Sequence, residues 1–151
     1  MITPSTIRIA VVNKLRAVFP TIPVISQDVE KGFVQPSFTV RFEDYQPEQI
    51  QESLEQTMNI RIFYFPNFDD PDMSVDVMDK TYEIPRAFGN KLYVADRALN
   101  INEPDVIEID GILEYSFNLL FEQYDAENDA EARSDAEIMQ DLHIQMKKEG
   151  N

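Results

Sequence analysis

One stretch constrains the fold more than any other in the 151 residues. From Leu113 onward, Leu113, Tyr115, Phe117, Leu119 and Phe121 alternate with Glu114, Ser116, Asn118 and Glu122. A period of two sustained over this length belongs to a strand with one buried and one wetted face, placed centrally in a sheet. Just before it, Asp110-Gly111 reads as a tight turn or a bulge. A strand over 106–110, a loop at Asn102-Glu103-Pro104-Asp105 and a short strand over 91–95 precede that turn.

The N-terminal half supplies the remaining elements. Thr3-Pro4 pairs an N-cap residue with a proline suited to the first helical position. Ile7, Val11, Leu15, Val18 and Phe19 then recur at helical spacing until Pro20. The polar side of this helix carries only Arg8, Lys14 and Arg16, which favours core packing over a membrane surface. Gly32 and Pro36 mark a turn region in EKGFVQPSF, and Phe38, Val40 and Phe42 alternate with polar residues in a strand over 37–45. Gln46-Pro47 breaks that strand, and residues 51–65 return as its hairpin partner. Leu54, Met58, Ile60, Ile62 and Tyr64 share one face, while Phe63 and Phe65 place apolar bulk on the other. That second face needs a cover, either a helix of the same chain or another subunit. Asp70-Pro71 repeats the cap-and-proline start, with Val75, Met78 and Tyr82 as the apolar side of a second helix that Pro85 ends.

These elements predict an α+β fold, a mostly antiparallel sheet of about five strands flanked by two or three helices in a single domain. Residues 1–124 form the globular part. Residues 125–137, DAENDAEARSDAE, hold six acids against Arg133 and lack any large apolar side chain, the composition of a solvated linker. Ile138, Met139 and Leu142 follow as a small cluster in a C-terminal docking segment that completes 125–151.

Charge and composition exclude several functions. The formal net charge is −15, and the eight acids and three bases of 125–151 leave −10 on the rest. Such a surface repels nucleic-acid phosphates, so direct nucleic-acid binding is not expected. No apolar run reaches the roughly 20 residues of a membrane span, and the N-terminus lacks the pattern of a secretory signal. With no cysteine, disulfides, thiolate metal sites and cysteine nucleophiles are all absent, and residence in the cytoplasm fits best.

The catalytic inventory is thin. His143 is the only histidine, there is no G-x-S-x-G elbow, and Gly32, Gly89, Gly111 and Gly150 stand too far apart to cradle phosphate. Asp125, Glu127 and Asp129 imitate the start of a calcium loop. Ala130 and Ala136, however, occupy the places where that loop needs glycine and glutamate. Asn67, Asp69, Asp70 and Asp72 cluster as well, but Asp70 serves better as a helix cap. No pair of carboxylates stands out as a glycosidase pair. No catalytic, metal or cofactor site is expected, and an enzyme is disfavoured.

The order of the motifs carries a resemblance. A helix ending in Leu15-x-x-x-Phe19-Pro20 leads through a Lys-Gly-Phe turn to QPSFTV, then to IFYFP, a helix, VIEIDGILEYSFNLLF and MQDL. Over roughly residues 5 to 145 this resembles the tail terminator proteins of tailed bacteriophages and prophages, in particular those of Gram-positive bacteria. The resemblance implies a structural protein that forms a ring, usually six-fold, on the head-proximal end of the tail. There it would stop tube polymerisation and offer the head-joining surface, with the tail tube protein and the head-completion connector as partners. Host cytoplasm during assembly and then the virion tail would be its locations, with the free chain a ring or a monomer. DNA would pass through such a ring without being bound. No catalytic residues come with the family. Phe33, Phe63 and Phe65 are the candidate contacts with a neighbouring subunit or partner. Another head–tail neck component is the nearest alternative, and an acidic adaptor or nucleic-acid mimic is one of a different class.

Overall fold

The computed structural model describes residues 1–25 and 34–125, arranged as two helices and five strands. The first helix, α1 (Pro4–Val18), starts where the sequence indicates. The Thr6 amide donates to Thr3 Oγ1 at 3.3 Å, and the Thr3 amide donates to Thr6 Oγ1 at 2.8 Å. This reciprocal box satisfies two otherwise orphaned amides, a cap contributing about 1 kcal/mol. Ile7, Val11 and Leu15 are fully buried, and Phe19 closes the end of the stripe.

Strands β1 (Ser37–Ile50) and β2 (Ser53–Phe65) form the expected hairpin, but β1 continues through Gln46-Pro47. The sheet order β1-β2-β5-β4-β3 explains this, because β1 is an edge strand and a proline there removes no interior ladder bond. The turn falls instead at Gln51, whose φ is 54°.

The second helix, α2 (Met73–Phe88), departs from expectation in three ways. It starts after Asp72 rather than at Asp70, whose Oδ1 instead accepts from the Asp72 amide at 2.9 Å in a preceding turn. It runs past Pro85 because Phe88 is anchored in the core against Tyr115 and Phe117, at ring distances of 5.9 and 5.8 Å. Gly89 then ends it at a φ of 63°. Its inward face is Val77, Ile84 and Phe88, whereas Val75, Met78 and Tyr82 are 57%, 73% and 63% exposed. Both triads fit a helical period, so periodicity alone did not choose between them.

Strands β3 (Lys91–Val94), β4 (Arg97–Ile109) and β5 (Ile112–Tyr124) complete the sheet. The segment 102–105, expected as a loop, is a bulge inside a continuous β4. The register shifts between Asn102 and Asp105, and Glu103 has a φ of 51°. A bulge is where Pro104 can sit without breaking the strand. Asp110 and Gly111, with φ of 53° and 82°, make the tight two-residue turn that pairs Ile109 with Ile112.

The core lies on one side of the sheet, where Met58, Ile60, Ile62 and Tyr64 of β2 and alternate residues of β5 meet both helices. Tyr64 ties α2 to β2, its hydroxyl donating to Asp76 Oδ2 at 2.5 Å, while Lys80 bridges to Asp76 at 3.1 Å. Most of the chain forms one compact unit, Met1–Gln46 with Gln56–Phe121. Pro47–Glu55 and, of the described residues, 122–125 belong to a second, where the Asp125 amide donates to the Glu52 carbonyl at 2.9 Å. There, partial desolvation and then the neighbouring Glu122 carboxylate raise the Glu55 pKa.

Candidate functional site

The pleat of β2 and β5 sends every second side chain to the sheet face opposite the helices. That face has two halves of different chemistry. In one, a polar network crosses four strands. Arg61 of β2 pairs with Glu114 of β5 at 2.9 Å and with Glu43 of β1 at 3.2 Å. Beside it, Asn59 donates to Asn118 Oδ1 at 2.8 Å, and Asn118 in turn donates to Glu103 Oε2 at 2.8 Å. A charged sheet face satisfied in this way is at home in water.

The other half is apolar. The Phe63 and Phe65 rings stack at 6.5 Å with 28° between their planes, and the Arg41 guanidinium sits 5.3 Å above Phe63. Together with Thr39, Ile109 and Ile112 they line an open depression of about 310 Å³ rimmed by Arg41, Asp110 and Glu114. Ile109 is 59% exposed at its edge. No helix among the described residues covers these rings, so the expectation that one of the chain's own helices buries them is met by neither α1 nor α2.

Of the three aromatic residues singled out from sequence, Phe63 and Phe65 are therefore brought together, and Phe33 lies outside the described residues. Thr39, Arg41, Ile109 and Ile112 were not singled out. The signal for the last two was present. A two-residue turn at Asp110-Gly111 places its flanking residues opposite one another, and the buried parity of Leu113 then sends Ile112 to the outer face.

Nothing in the described residues assembles a reactive centre. They contain no group of three or more His, Cys, Asp or Glu side chains placed to hold a metal ion. Asn67 Oδ1 accepts from the Asp69 amide at 3.1 Å, so that cluster is occupied in shaping the turn before α2. His143 and most of the acidic run lie outside the described residues. No helix there is long and apolar enough to cross a membrane. The tyrosines with displaced pKa values face the core. Burial pushes Tyr115 up to about 12, and burial followed by the Asp76 carboxylate pushes Tyr64 up as well.

The sequence as a whole resembles a known family. Residues 6–131 match the family model of the phage tail terminator protein. The chain belongs to that family. A tail terminator is a structural component of the phage tail and acts in the virion alongside tail and head components. No curated protein matches the chain. Among 18 matching solved chains, one aligns at 15% identity over 83% of this chain and 97% of its own, with a TM-score of 0.39. That likeness is too distant to bear on function.

Proposed function

We propose that this tail terminator caps the head-proximal end of the tail tube as a homo-oligomeric ring, stops tube polymerisation and presents the surface to which the head's connector binds. The observation that carries the reading is the apolar depression around Phe63 and Phe65 on a sheet face that neither α1 nor α2 covers. An open apolar depression with Arg41, Asp110 and Glu114 among its lining residues offers a partner apolar contact together with charge. The net charge of −15 supports a ring whose lumen passes DNA without holding it, since repulsion between like charges prevents sticking.

The test is genetic and structural. Phage or prophage deprived of this chain should make overlong tails without heads, and the wild-type chain supplied in trans should restore normal ones. Phe63→Asp/Phe65→Asp should fold, as judged by circular dichroism, yet remain monomeric in light scattering and fail to restore tail length. Tails of normal length joined to heads in the absence of the chain would refute the cap. A double variant that still forms rings would refute the role of this face.

A further inference from the structure

The two edges of the sheet are unlike. The strand order β1-β2-β5-β4-β3 leaves β1 and β3 at the ends. Residues 23–25 lie along the start of β1, with the Ile25 amide donating to the Phe38 carbonyl at 2.8 Å, and Pro47 stands in its second half. Both features blunt an edge. Strand β3 has neither.

The register of β3 shows which backbone groups it leaves open. The Ile101 amide donates to the Asn90 carbonyl at 2.9 Å, and the pairs Leu92↔Leu99 and Val94↔Arg97 fall in the same phase of the ladder. In an antiparallel ladder the intervening residues turn their amides and carbonyls away from the partner strand. Lys91 and Tyr93 therefore aim their N–H and C=O groups outward from the sheet. Among the described residues, no backbone hydrogen bond from another element reaches them.

Helix α1 runs beside this edge. Ile9, Ala10 and Lys14 of the helix and Leu92 and Tyr93 of the strand line an open depression of about 450 Å³. Ile9 is 57% and Tyr93 68% exposed. The flank is also basic in a chain whose net charge is −15, since residues 1–27 hold Arg8, Lys14 and Arg16 and no Asp or Glu. Lys14 and Lys91 form no ion pair among the described residues. Asp96 lies past the edge, in the turn to β4. A short edge strand bearing lysine discourages indiscriminate pairing. A carboxylate on an incoming strand turns the same lysine into an attraction.

We propose that β3 is a docking edge for an extended segment of another tail or head protein, about as long as β3, in which apolar side chains alternate with carboxylates. Its backbone pairs with Lys91 and Tyr93, its apolar side chains lie in the depression beside Ile9, and its carboxylates meet Lys91 and Lys14. Main-chain bonds supply affinity in such a contact, while the depression and the lysines supply selectivity. The docking needs a single copy of this chain and does not depend on the ring.

Hydrogen exchange and coupling chemistry on isolated tails test it. In the free chain the amides of Lys91 and Tyr93 should exchange quickly and those of Leu92 and Val94 slowly. In tails the first pair should slow by about tenfold or more. A carbodiimide, which joins lysine amines to carboxylates, should link Lys91 or Lys14 to a different protein, identified by mass spectrometry of the linked peptides. Tyr93→Pro removes one outward donor at a place where an edge tolerates proline. It should fold, as judged by circular dichroism, yet enter tails about tenfold less than the wild type. Should that variant not fold, Lys14→Glu/Lys91→Glu leaves the backbone intact and should show the same loss. Lys91 and Tyr93 amides that exchange equally fast in tails and in the free chain would overturn the proposal. So would links only to a second copy of this chain, or folded variants that enter tails at the wild-type level.

Discussion

Along β2, neighbouring residues have opposite surroundings. Ile60, Ile62 and Tyr64 are buried under the helices, while Asn59, Arg61 and Phe63 lie half-covered on the other side of the same strand. Strand β5 repeats the division, with Tyr115 and Phe117 inside and Glu114 and Asn118 outside. The backbone is shared, so the difference comes from what packs on each face. The inner face has two helices to exclude water, and its apolar area contributes stability directly. The outer face has a polar network at one end and the partly exposed, stacked rings of Phe63 and Phe65 at the other.

The sharpest way to break this comparison is a pair of adjacent substitutions. Ile62→Asp places a carboxylate at a fully buried core position, and a loss of more than about 4 kcal/mol should leave the chain unfolded. Phe63→Asp, one residue away, removes a partly exposed ring but places the same group beside Arg41, and should cost less, about 1–3 kcal/mol. Urea titrations followed by circular dichroism compare them, and two unfolded variants would mean that the outer face is as essential to folding as the inner.

A cavity sharpens the same contrast by a smaller step. Phe117 packs against both Tyr115 and Phe88, at 5.5 and 5.8 Å. Phe117→Ala should cost about 3–5 kcal/mol, since two rings lose their partner and the site can collapse only partly. Asn118→Ala, the next residue, removes hydrogen bonds from a half-exposed network and should cost about 1 kcal/mol.

The division also has a pH signature. Burial holds Tyr115 at about 12, above the ordinary tyrosine value of about 10. The native state thus keeps this proton after the unfolded chain has released it. The stabilisation is complete below about pH 10 and is lost as pH rises from about 10 towards 12. Tyr115→Phe should flatten that part of the alkaline stability curve. An alkaline limb as steep in Tyr115→Phe as in the wild type would contradict the burial argument.

Much of this was legible in the residues. The alternation in β5, the helix start at Thr3-Pro4, the hairpin and the Asp110-Gly111 turn are local signals, and each appears in place. The elements misread were those decided by context. Pro47, Pro85 and Pro104 all looked like breaks. An edge strand, an anchoring Phe88 and a bulge accommodate them, and none of these can be seen from the neighbouring residues. Val75, Met78 and Tyr82 fit the helical period as well as the inner residues Val77, Ile84 and Phe88 do, so spacing alone does not pick the face of α2. The stripe that periodicity assigns to the core is left outside by the packing.

The smallest effect concerns the polar half of the outer face. Arg61 is held between Glu43 and Glu114, yet its side chain remains 40% exposed, and Glu43 is exposed to a similar degree. The pair with Glu43 contributes little, because water and side-chain entropy offset most of the attraction, whereas Glu114 is only 12% exposed and its pair is better shielded. Arg61→Ala should therefore cost about 1 kcal/mol. Most of that loss would come from leaving Glu114 of β5 without its cation and facing Glu43, which lies on β1 across the width of β2. Added salt screens both the original attraction and the new repulsion, so the difference between variant and wild type should shrink as ionic strength rises. Denaturation at low and at high salt measures this. A loss of several kcal/mol that salt does not diminish would show that the network is effectively buried, and the contrast between the two halves of the outer face would then fail.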